Sequence, residues 1–330
     1  MKPITRILPI ILSALLLLAA CAGTDTALRT VRVSEVTHSV FYAPQYVAIQ
    51  LGFFEEEGLA VELTTGEGAD KVMTSVLSGA ADIGFSGPEA AIYIYNEGKS
   101  DYAKVFAQVT CRDGSFLMAR DPDPSFTWEK LRGAHLLPGR KGGVPYMALE
   151  SVVKAQGLTP GVDVLFDNSV QYAAMTGAFV GGTGDYVTLF EPAASTLEAE
   201  GKGYIIAAVG EWAGEIPYTA YYALGSYLEK NDDTIQRFTN ALARAQAWVQ
   251  EHSPAEIAKA IAPAFPDADV GIMAKAIANY KAIGAYAATP TMSEDSFNRL
   301  QAVMAEAGEL MQPAPWRDLA DNRFADKAVK

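Results

Sequence analysis

Three short segments of the sequence place small or hydroxyl-bearing residues just before an amphipathic stretch. The first contains Ser39, the second Ser86 and Gly87, and the third Gly142 and Gly143. Each precedes a predicted helix, whose first N–H groups lack backbone partners and carry a partial positive charge that suits the acceptor atoms of a ligand. Glycine before proline is also ordinary helix-start chemistry. Any one of these segments taken alone therefore fits a structural role better than ligand binding. If all three lie in one cleft, ligand binding becomes the better interpretation.

Aromatic side chains are concentrated near the predicted ends of strands. A flat ligand stacks on such rings while tyrosine hydroxyls orient it, although core packing is the commoner fate of any single ring. The number of candidates favours a planar organic ligand over a bare inorganic anion. The candidates are Phe41, Tyr42, Tyr146, Tyr172, Tyr186, Phe190, Tyr218 and Tyr221.

Four polar side chains have two possible roles each. Glu191 lies between a predicted strand and Pro192, where it would accept hydrogen bonds from an amino group of a ligand or act as a helix N-terminal acid. Arg112 and Asp113 would pair as a hinge salt bridge or reach the ligand, and the hinge role is favoured. His38 stands at a strand end that faces the expected cleft, although a lone histidine is more often structural.

The elements that position these residues alternate short β-branched runs with amphipathic stretches from residue 31 onward. This alternation predicts right-handed βαβ units and an α/β fold with mostly parallel, doubly wound sheets. Prolines at 122 and 124 interrupt both the strand pattern and the helix pattern, and so mark a linker. We therefore expect lobe one at 31–120, lobe two at 121–212, and a return strand with the C-terminal helices of lobe one at 213–330.

Two connections then cross between the lobes, which makes a hinge with a cleft beside it. Past the second connection the chain is expected to be helical. An apolar stripe along one helix face is formed by Ile235, Phe238, Leu242, Ala245 and Val249. Further helices are predicted at 254–262, 270–282 and 293–306.

Composition excludes several classes of protein. The chain has 330 residues, of which 50% are hydrophobic, and 26 basic against 39 acidic side chains give a net charge of −13. Half-apolar composition at this length supports packed cores. The acidic balance argues against nucleic-acid binding, which depends on clustered Lys and Arg. The three histidines and two cysteines show no zinc-site spacing, so we expect no metal and no cofactor.

The N-terminus has the pattern of an export signal. Lys2 and Arg6 precede an uncharged run that ends at Cys21, and this run is too short to span a bilayer comfortably. Residues 18–21 resemble a bacterial lipobox. That resemblance implies removal of residues 1–20, lipidation of Cys21, and a short tether at 21–30. The predicted protein is exported and lipid-anchored to the cell membrane, and Cys111 then has no disulfide partner within the chain.

The blocks at 38–49 and 51–59 resemble the opening of substrate-binding proteins of ABC importers, in the family shared by alkanesulfonate-, nitrate-, taurine- and thiamine-pyrimidine-binding proteins. Residues 77–89, 112–117 and 185–192 are similar to its later blocks, and several blocks in the right order are more specific than one motif. The block at 77–89 ends at Glu89, which joins the ligand-binding candidates.

The resemblance covers roughly residues 30–250. It implies a two-lobed periplasmic-binding-protein type II fold that closes on a small molecule and then docks on a membrane permease with its ATPase, and we expect the protein to be a monomer. The aromatic set, Glu191 and the 112–116 block are closest to the thiamine-pyrimidine binders, so we expect an aminopyrimidine-type thiamine precursor. The alternative ligands are sulfonate, taurine, nitrate or another aromatic nutrient such as riboflavin. An alternative function is an anchored chemosensory or adhesion module without transport.

Catalysis is the weaker hypothesis. One eukaryotic branch of this fold makes the thiamine pyrimidine with an internal histidine and a cysteine-rich iron site. Here only Cys111 occurs in the corresponding block. The sequence also lacks a nucleophile elbow, a phosphate-binding Gly-Lys loop and a His-Glu zinc helix. We therefore predict a binding protein rather than an enzyme.

Overall fold

A computed structural model describes residues 27–329, so Cys21, the predicted leader and most of the predicted tether lie outside the described residues. Within this range the chain forms two five-stranded sheets with helices packed around them. The strands are β1 (Arg29–Glu35), β2 (Leu59–Thr65), β3 (Ile83–Ser86), β4 (Ala103–Thr110), β5 (Ser115–Ala119), β6 (His135–Leu137), β7 (Leu165–Phe166), β8 (Tyr186–Phe190), β9 (Tyr204–Ala208) and β10 (Thr219–Leu224).

The first sheet has the order β2-β1-β3-β10-β4 and the second β7-β6-β8-β5-β9. In the first, β1 pairs in parallel with β2 and β3, whereas β10 runs antiparallel to β3 and β4. In the second, β6 is parallel to β7 and β8, whereas β5 is antiparallel to β8 and β9. Both sheets are thus mixed rather than mostly parallel, because the strand that arrives from the other lobe runs against its neighbours.

The chain crosses between the lobes at residues 111–114, from β4 to β5, and again at residues 209–218, from β9 to β10. The first crossing comes earlier than the sequence predicts, since β5 already belongs to the second sheet. The two-proline segment instead forms a loop of the second lobe. The sequence misplaces this boundary because the true crossing is short and contains no proline.

Helices cover the sheets of both lobes. They are α1 (Ala43–Gln50), α2 (Phe53–Glu56), α3 (Ala69–Leu77), α4 (Glu89–Asn96), α5 (Val144–Ala155), α6 (Met175–Val180), α7 (Ala193–Ala199), α8 (Val209–Ala213), α9 (Gly225–Lys230), α10 (Asp232–Glu251), α11 (Pro254–Ile261), α12 (Val270–Ala282), α13 (Glu294–Glu306), α14 (Trp316–Leu319) and α15 (Ala325–Ala328). None of those within residues 27–329 is long and apolar enough to cross a bilayer.

The C-terminal helices follow the sequence prediction closely. The apolar stripe predicted from residue 235 lies on α10 and is fully buried, and α10 packs on α1 of lobe one. The three helices predicted after it occur as α11, α12 and α13. Two of them also reach the second lobe, since α12 contacts α7 and α13 contacts α5. The lobes are therefore bridged by side chains as well as by the two crossings.

Candidate ligand-binding site

Aromatic rings from both lobes meet beside the crossings. Phe41 lies in a 3-10 turn, Val40–Tyr42, whose N-cap Ser39 accepts a hydrogen bond from the Phe41 N–H at 3.2 Å. Its ring centroid is 4.5 Å from that of Tyr280, 5.6 Å from Tyr218 and 5.9 Å from Phe190. Phe190 ends β8 in the second lobe, whereas the other three rings come from segments packed on the first. We call these four residues the ring cluster.

Tyr172 extends the ring cluster toward solvent. Its ring centroid is 6.3 Å from that of Phe190, and the residue is 56% exposed. Burial nonetheless raises the pKa of its hydroxyl to about 12, with a further contribution from the charge of Asp113. Tyr172 therefore forms the solvent-exposed edge of the group of rings around Phe190.

Three buried polar atoms beside the ring cluster have no hydrogen-bond partner within the described part of the chain. They are Asp113 Oδ2, the Tyr218 hydroxyl and the Thr110 hydroxyl. Thr110 ends β4, and its neighbour across the sheet is Thr219, which directly follows Tyr218. A buried polar group without a partner costs about 1–3 kcal/mol. Such a group calls for an explanation, and a ligand between the lobes would provide one.

Asp113 is held at one oxygen and unpartnered at the other. Its Oδ1 accepts the Ser115 N–H at 2.7 Å and the Ser115 hydroxyl at 2.5 Å. Burial raises the pKa of this carboxyl to about 6, and the bonds from Ser115 oppose that rise. The Tyr218 hydroxyl is also close, but neither it nor Asp113 Oδ2 has a hydrogen-bond partner within residues 27–329. The free oxygen is therefore a ready acceptor for a donor group of a ligand.

The two crossings touch each other behind this carboxylate. Arg112 donates a hydrogen bond to the Gly210 carbonyl at 3.3 Å. A Cβ on Gly210 would come within 2.1 Å of the Asp113 carbonyl oxygen, so only glycine permits this approach. Arg112 thus ties one crossing to the other. It does not form the predicted salt bridge with Asp113, whose Oδ1 accepts from Ser115 and whose Oδ2 has no partner within residues 27–329.

Comparison with known proteins places this two-lobed architecture in a family. A family model described as the NMT1-like family matches residues 35–263. The chain belongs to the NMT1-like family. Over 312 residues it is 43% identical to YtlA of Bacillus subtilis (strain 168), provisionally named a binding protein, and the match covers 94% of this chain and 93% of YtlA.

Solved structures support the fold of this NMT1-like protein. The ligand-binding component of an ABC-type import system from Staphylococcus aureus, solved with zinc bound, matches with a TM-score of 0.72 at 14% identity, over 91% of this chain and 99% of that one. The alkanesulfonate-binding protein SsuA from Xanthomonas axonopodis pv. citri, bound to MOPS, matches with a TM-score of 0.69 at 15% identity, over 89% and 98%. The predicted α/β periplasmic-binding-protein fold is confirmed.

In this NMT1-like protein Glu191 is occupied by protein donors. Its carboxylate accepts the Ser195 N–H at 2.9 Å, the Ser195 hydroxyl at 2.8 Å and the Asn279 side-chain amide at 2.6 Å. Its own N–H donates to the Tyr280 hydroxyl at 3.0 Å. Because Asn279 and Tyr280 lie on α12, Glu191 caps α7 and ties the two lobes together. This geometry favours the helix N-terminal role over the ligand acceptor role.

His38 faces away from the ring cluster. Its Nδ1 lies 3.0 Å from Glu35 Oε1, and its Nε2 lies 2.8 Å from the Ala264 carbonyl oxygen. The ring packs on Phe265, with centroids 4.5 Å apart. Both nitrogens are thus engaged by lobe one, and the structural interpretation of this histidine replaces the expectation that it faces the cleft.

Three of the predicted tyrosines also lie elsewhere. Tyr221 is fully buried in the core of lobe one, where it donates to Gln45 Oε1 at 2.7 Å. Tyr186 begins β8, at the opposite end of the strand from Phe190, and its ring lies near Phe126. Tyr146 is buried on α5, and its ring centroid lies 5.6 Å from that of Phe166. In contrast, Tyr42 is buried next to Phe41, with ring centroids 5.7 Å apart, and so lies beside the ring cluster.

The remaining candidates lie at two helix starts. The Ser86 hydroxyl shares a hydrogen bond of 2.7 Å with the Tyr222 hydroxyl, so it is already partnered. Gly142 and Gly143 form the turn before α5, with Gly143 as N-cap. Gly87 lies two residues before Glu89, which begins α4. The carboxylate of Glu89 has a buried oxygen without a hydrogen-bond partner among the described residues.

Sequence reasoning missed Tyr280 and Thr110. Tyr280 lies on α12, where helical periodicity indicates only a core position. Thr110 could have been found, because it is the last residue of a strand that leads into a crossing.

Two open cavities of about 290 and 400 Å³ lie elsewhere on the surface, one beside Lys104 and Arg317 and the other beside Pro122 and Ile206. Neither is lined by the ring cluster.

Within residues 27–329 no group of three or more His, Cys, Asp or Glu side chains could hold a metal ion. Cys111 is half-buried, and its thiol donates to the Gly284 carbonyl at 3.2 Å. Burial raises the pKa of this thiol to about 11. A thiol with so high a pKa is a weak nucleophile at neutral pH.

Proposed function

We propose that this protein is the substrate-binding component of an ABC importer, and that it captures a small, planar, amino-bearing ring between its two lobes. The aminopyrimidine precursors of thiamine are the class we propose. The observation that carries the proposal is the ring cluster with its three unpartnered buried polar atoms. Membership of the NMT1-like family and the periplasmic-binding-protein fold are consistent with it.

The chemistry of the ring cluster suits an aromatic amine better than an anion. Ring faces from both lobes favour a flat guest. The free oxygen of Asp113 accepts a hydrogen bond, and the hydroxyls of Tyr218 and Thr110 both donate and accept. A ring that carries amino groups and ring nitrogens supplies the complementary atoms. A sulfonate or nitrate would instead meet a buried carboxyl, which is unfavourable if that carboxyl is ionised.

Capture couples to closure because the site is divided between the lobes. A ligand that touches Phe190 on one side and Phe41 on the other interacts fully only when the lobes are together. It therefore stabilises the closed form by its differential affinity for the two states. The permease and its ATPase would then recognise the closed surface, and binding alone rather than catalysis is required of this chain.

Calorimetry of the purified protein with formylaminopyrimidine, hydroxymethylpyrimidine, riboflavin, taurine and nitrate tests this function. We expect tight binding of a pyrimidine. Tyr218→Phe removes one unpartnered hydroxyl and should weaken that binding about fivefold or more. Tyr221→Phe is the matched control, since its hydroxyl is used inside lobe one, and should leave affinity unchanged. Tight binding of an anion without a response to any ring compound would contradict the proposal.

We also propose that the protein is exported and anchored through a lipidated Cys21, on the basis of the N-terminal sequence. Cys21→Ser should release exported protein into the soluble fraction. Membrane fractionation and mass spectrometry of the mature N-terminus check this, with Cys111→Ser as the control that keeps the anchor. Membrane attachment that persists in Cys21→Ser would show that the lipobox interpretation is wrong.

A further inference from the structure

A second unpartnered carboxylate lies at the start of α4, outside the ring cluster. Glu89 is only 8% exposed, and its Oε2 has no hydrogen-bond partner within residues 27–329. The carboxylate folds over Gly87, where a Cβ would stand 1.9 Å from Oε2, so the carboxylate could not occupy this place above any other residue. The segment that carries Ser86, Gly87 and Glu89 is one of the helix starts that the sequence places at the cleft.

The groups around Glu89 come from both lobes. Burial raises the pKa of Glu89 to about 7, and the backbone N–H of Glu89 and, to a smaller extent, the positive charge of Arg140 oppose that rise. Arg140 is exposed and belongs to the second-lobe turn that leads through Gly142 into α5. The carboxylate of Glu309, from the chain after α13, packs against Gly142. Lobe one and lobe two therefore approach each other here, with a buried acceptor on one side and an exposed cation on the other.

We propose that Glu89 and Arg140 form a second polar subsite. It contacts a substituent on the bound ring and so determines which ring compounds bind tightly. The substituent it fits has an N–H or O–H donor for Glu89 and an oxygen acceptor for Arg140. An amide or a hydroxymethyl group has both. The inference rests on the proposed function, because it assumes that a ring occupies the space between the lobes.

Such a subsite also explains the presence of a buried carboxylate with a free oxygen in this position. A buried carboxylate with a free oxygen costs stability. A donor from the ligand and the nearby guanidinium would offset that cost only when the ligand is bound and the lobes are closed. The interaction is thus realised in the ligand-bound state alone, which makes it a discriminating contact rather than a structural one.

The test compares two probes that differ only in the substituent: formylaminopyrimidine and the same ring with a methyl group in place of the formylaminomethyl arm. Affinities are measured by calorimetry for wild type, Glu89→Gln, Arg140→Met and the neighbouring control Lys141→Met. We expect wild type to prefer the amide probe about tenfold or more. Both subsite variants should lose most of that preference while still binding the methyl probe, and Lys141→Met should keep it.

The outcomes separate this inference from the proposed function. If wild type binds ring compounds but shows no preference between the probes, or if both variants keep the preference, the subsite is overturned and the function stands. If wild type binds neither probe, the proposed function fails. Thermal denaturation of each variant establishes that it is folded, and Glu89→Asp, which keeps the charge but shortens its reach, replaces Glu89→Gln if that variant unfolds.

Discussion

Two buried acids in this protein, Glu35 and Asp113, have opposite surroundings. Glu35 ends β1 and is fully buried, and both of its carboxylate oxygens have polar partners. Its carboxylate lies within hydrogen-bond distance of Gln45 Nε2 (2.7 Å), Tyr46 Oη (2.6 Å), His38 Nδ1 (3.0 Å) and Thr65 Oγ1 (3.2 Å). Asp113 is equally buried, but it has one satisfied oxygen and one free oxygen, next to two other unpartnered hydroxyls.

This difference distinguishes Glu35, a carboxylate that stabilises the fold, from Asp113, a carboxylate that the fold leaves free to bind a ligand. Folding satisfies Glu35 completely, so its removal should damage stability and leave recognition alone. Folding leaves Asp113 unsatisfied, so its removal should improve stability and damage recognition. Burial and residue type alone do not distinguish the two, whereas the hydrogen-bond inventory does.

The largest effect is expected for Glu35→Gln. The amide cannot accept all four bonds, and its NH2 group would face the donors of Gln45 and Tyr46. Breaking a buried charged network of this kind costs about 3 kcal/mol or more. Urea denaturation should show this loss, and calorimetry of the folded variant should give the wild-type affinity. A weaker ligand affinity with normal stability would reverse the roles assigned to the two acids.

Asp113→Asn should change stability in the opposite direction. Burial raises the pKa of Asp113 from 3.8 to about 6. Between these values the folded state holds a proton that the unfolded state has lost, so this group lowers the unfolding free energy as pH rises. Above pH 6 the full cost of about 3 kcal/mol is present. Asparagine keeps the acceptor for Ser115 and removes the charge.

At pH 7.5 we therefore expect Asp113→Asn to be more stable than wild type by up to about 3 kcal/mol, with the difference vanishing near pH 3.5. Its ligand affinity should fall about tenfold, because an NH2 group replaces the free acceptor. Urea titrations across pH, alongside calorimetry, measure both. The exposed Asp267 supplies the control Asp267→Asn, which should change neither. A destabilised Asp113→Asn would mean that the free oxygen has a partner in the folded protein.

Glu191→Gln tests a further buried acid, whose hydrogen bonding resembles that of Glu35 more than that of Asp113. Loss of the charge weakens the cap on α7 and the bond from Asn279, so stability should fall by about 1–2 kcal/mol. Affinity for the ligand should not change. A tenfold loss of affinity would restore the ligand role that the sequence also allowed for this residue.

How much of this site could be predicted from sequence depends on distances of a few residues along a strand. Tyr218 and Tyr221 are three residues apart, but Tyr218 precedes β10 and joins the ring cluster, whereas Tyr221 lies within β10 and enters the core. Strand boundaries are the least certain part of a sequence prediction. The βα order, the C-terminal helices and Phe41 with Phe190 were predictable because periodicity and blocks of resemblance specify them. Tyr280 was not, because its role depends on how α12 packs between the lobes.

The smallest expected effect separates contacts within a lobe from contacts between lobes. Lys275 on α12 pairs with Glu198 on α7 at 2.6 Å, and thereby joins the lobes, whereas Lys202 pairs with Glu200 at 2.7 Å inside lobe two. Both pairs are partly exposed, and such pairs contribute at most about 1 kcal/mol. If the lobes part at α12 when the protein opens, Lys275→Met weakens the closed form alone and raises the Kd by up to about fivefold, less so at high salt. Lys202→Met should leave the Kd unchanged. Equal affinities for both variants would mean that α12 moves with lobe two, and that the hinge lies on the lobe-one side of that helix.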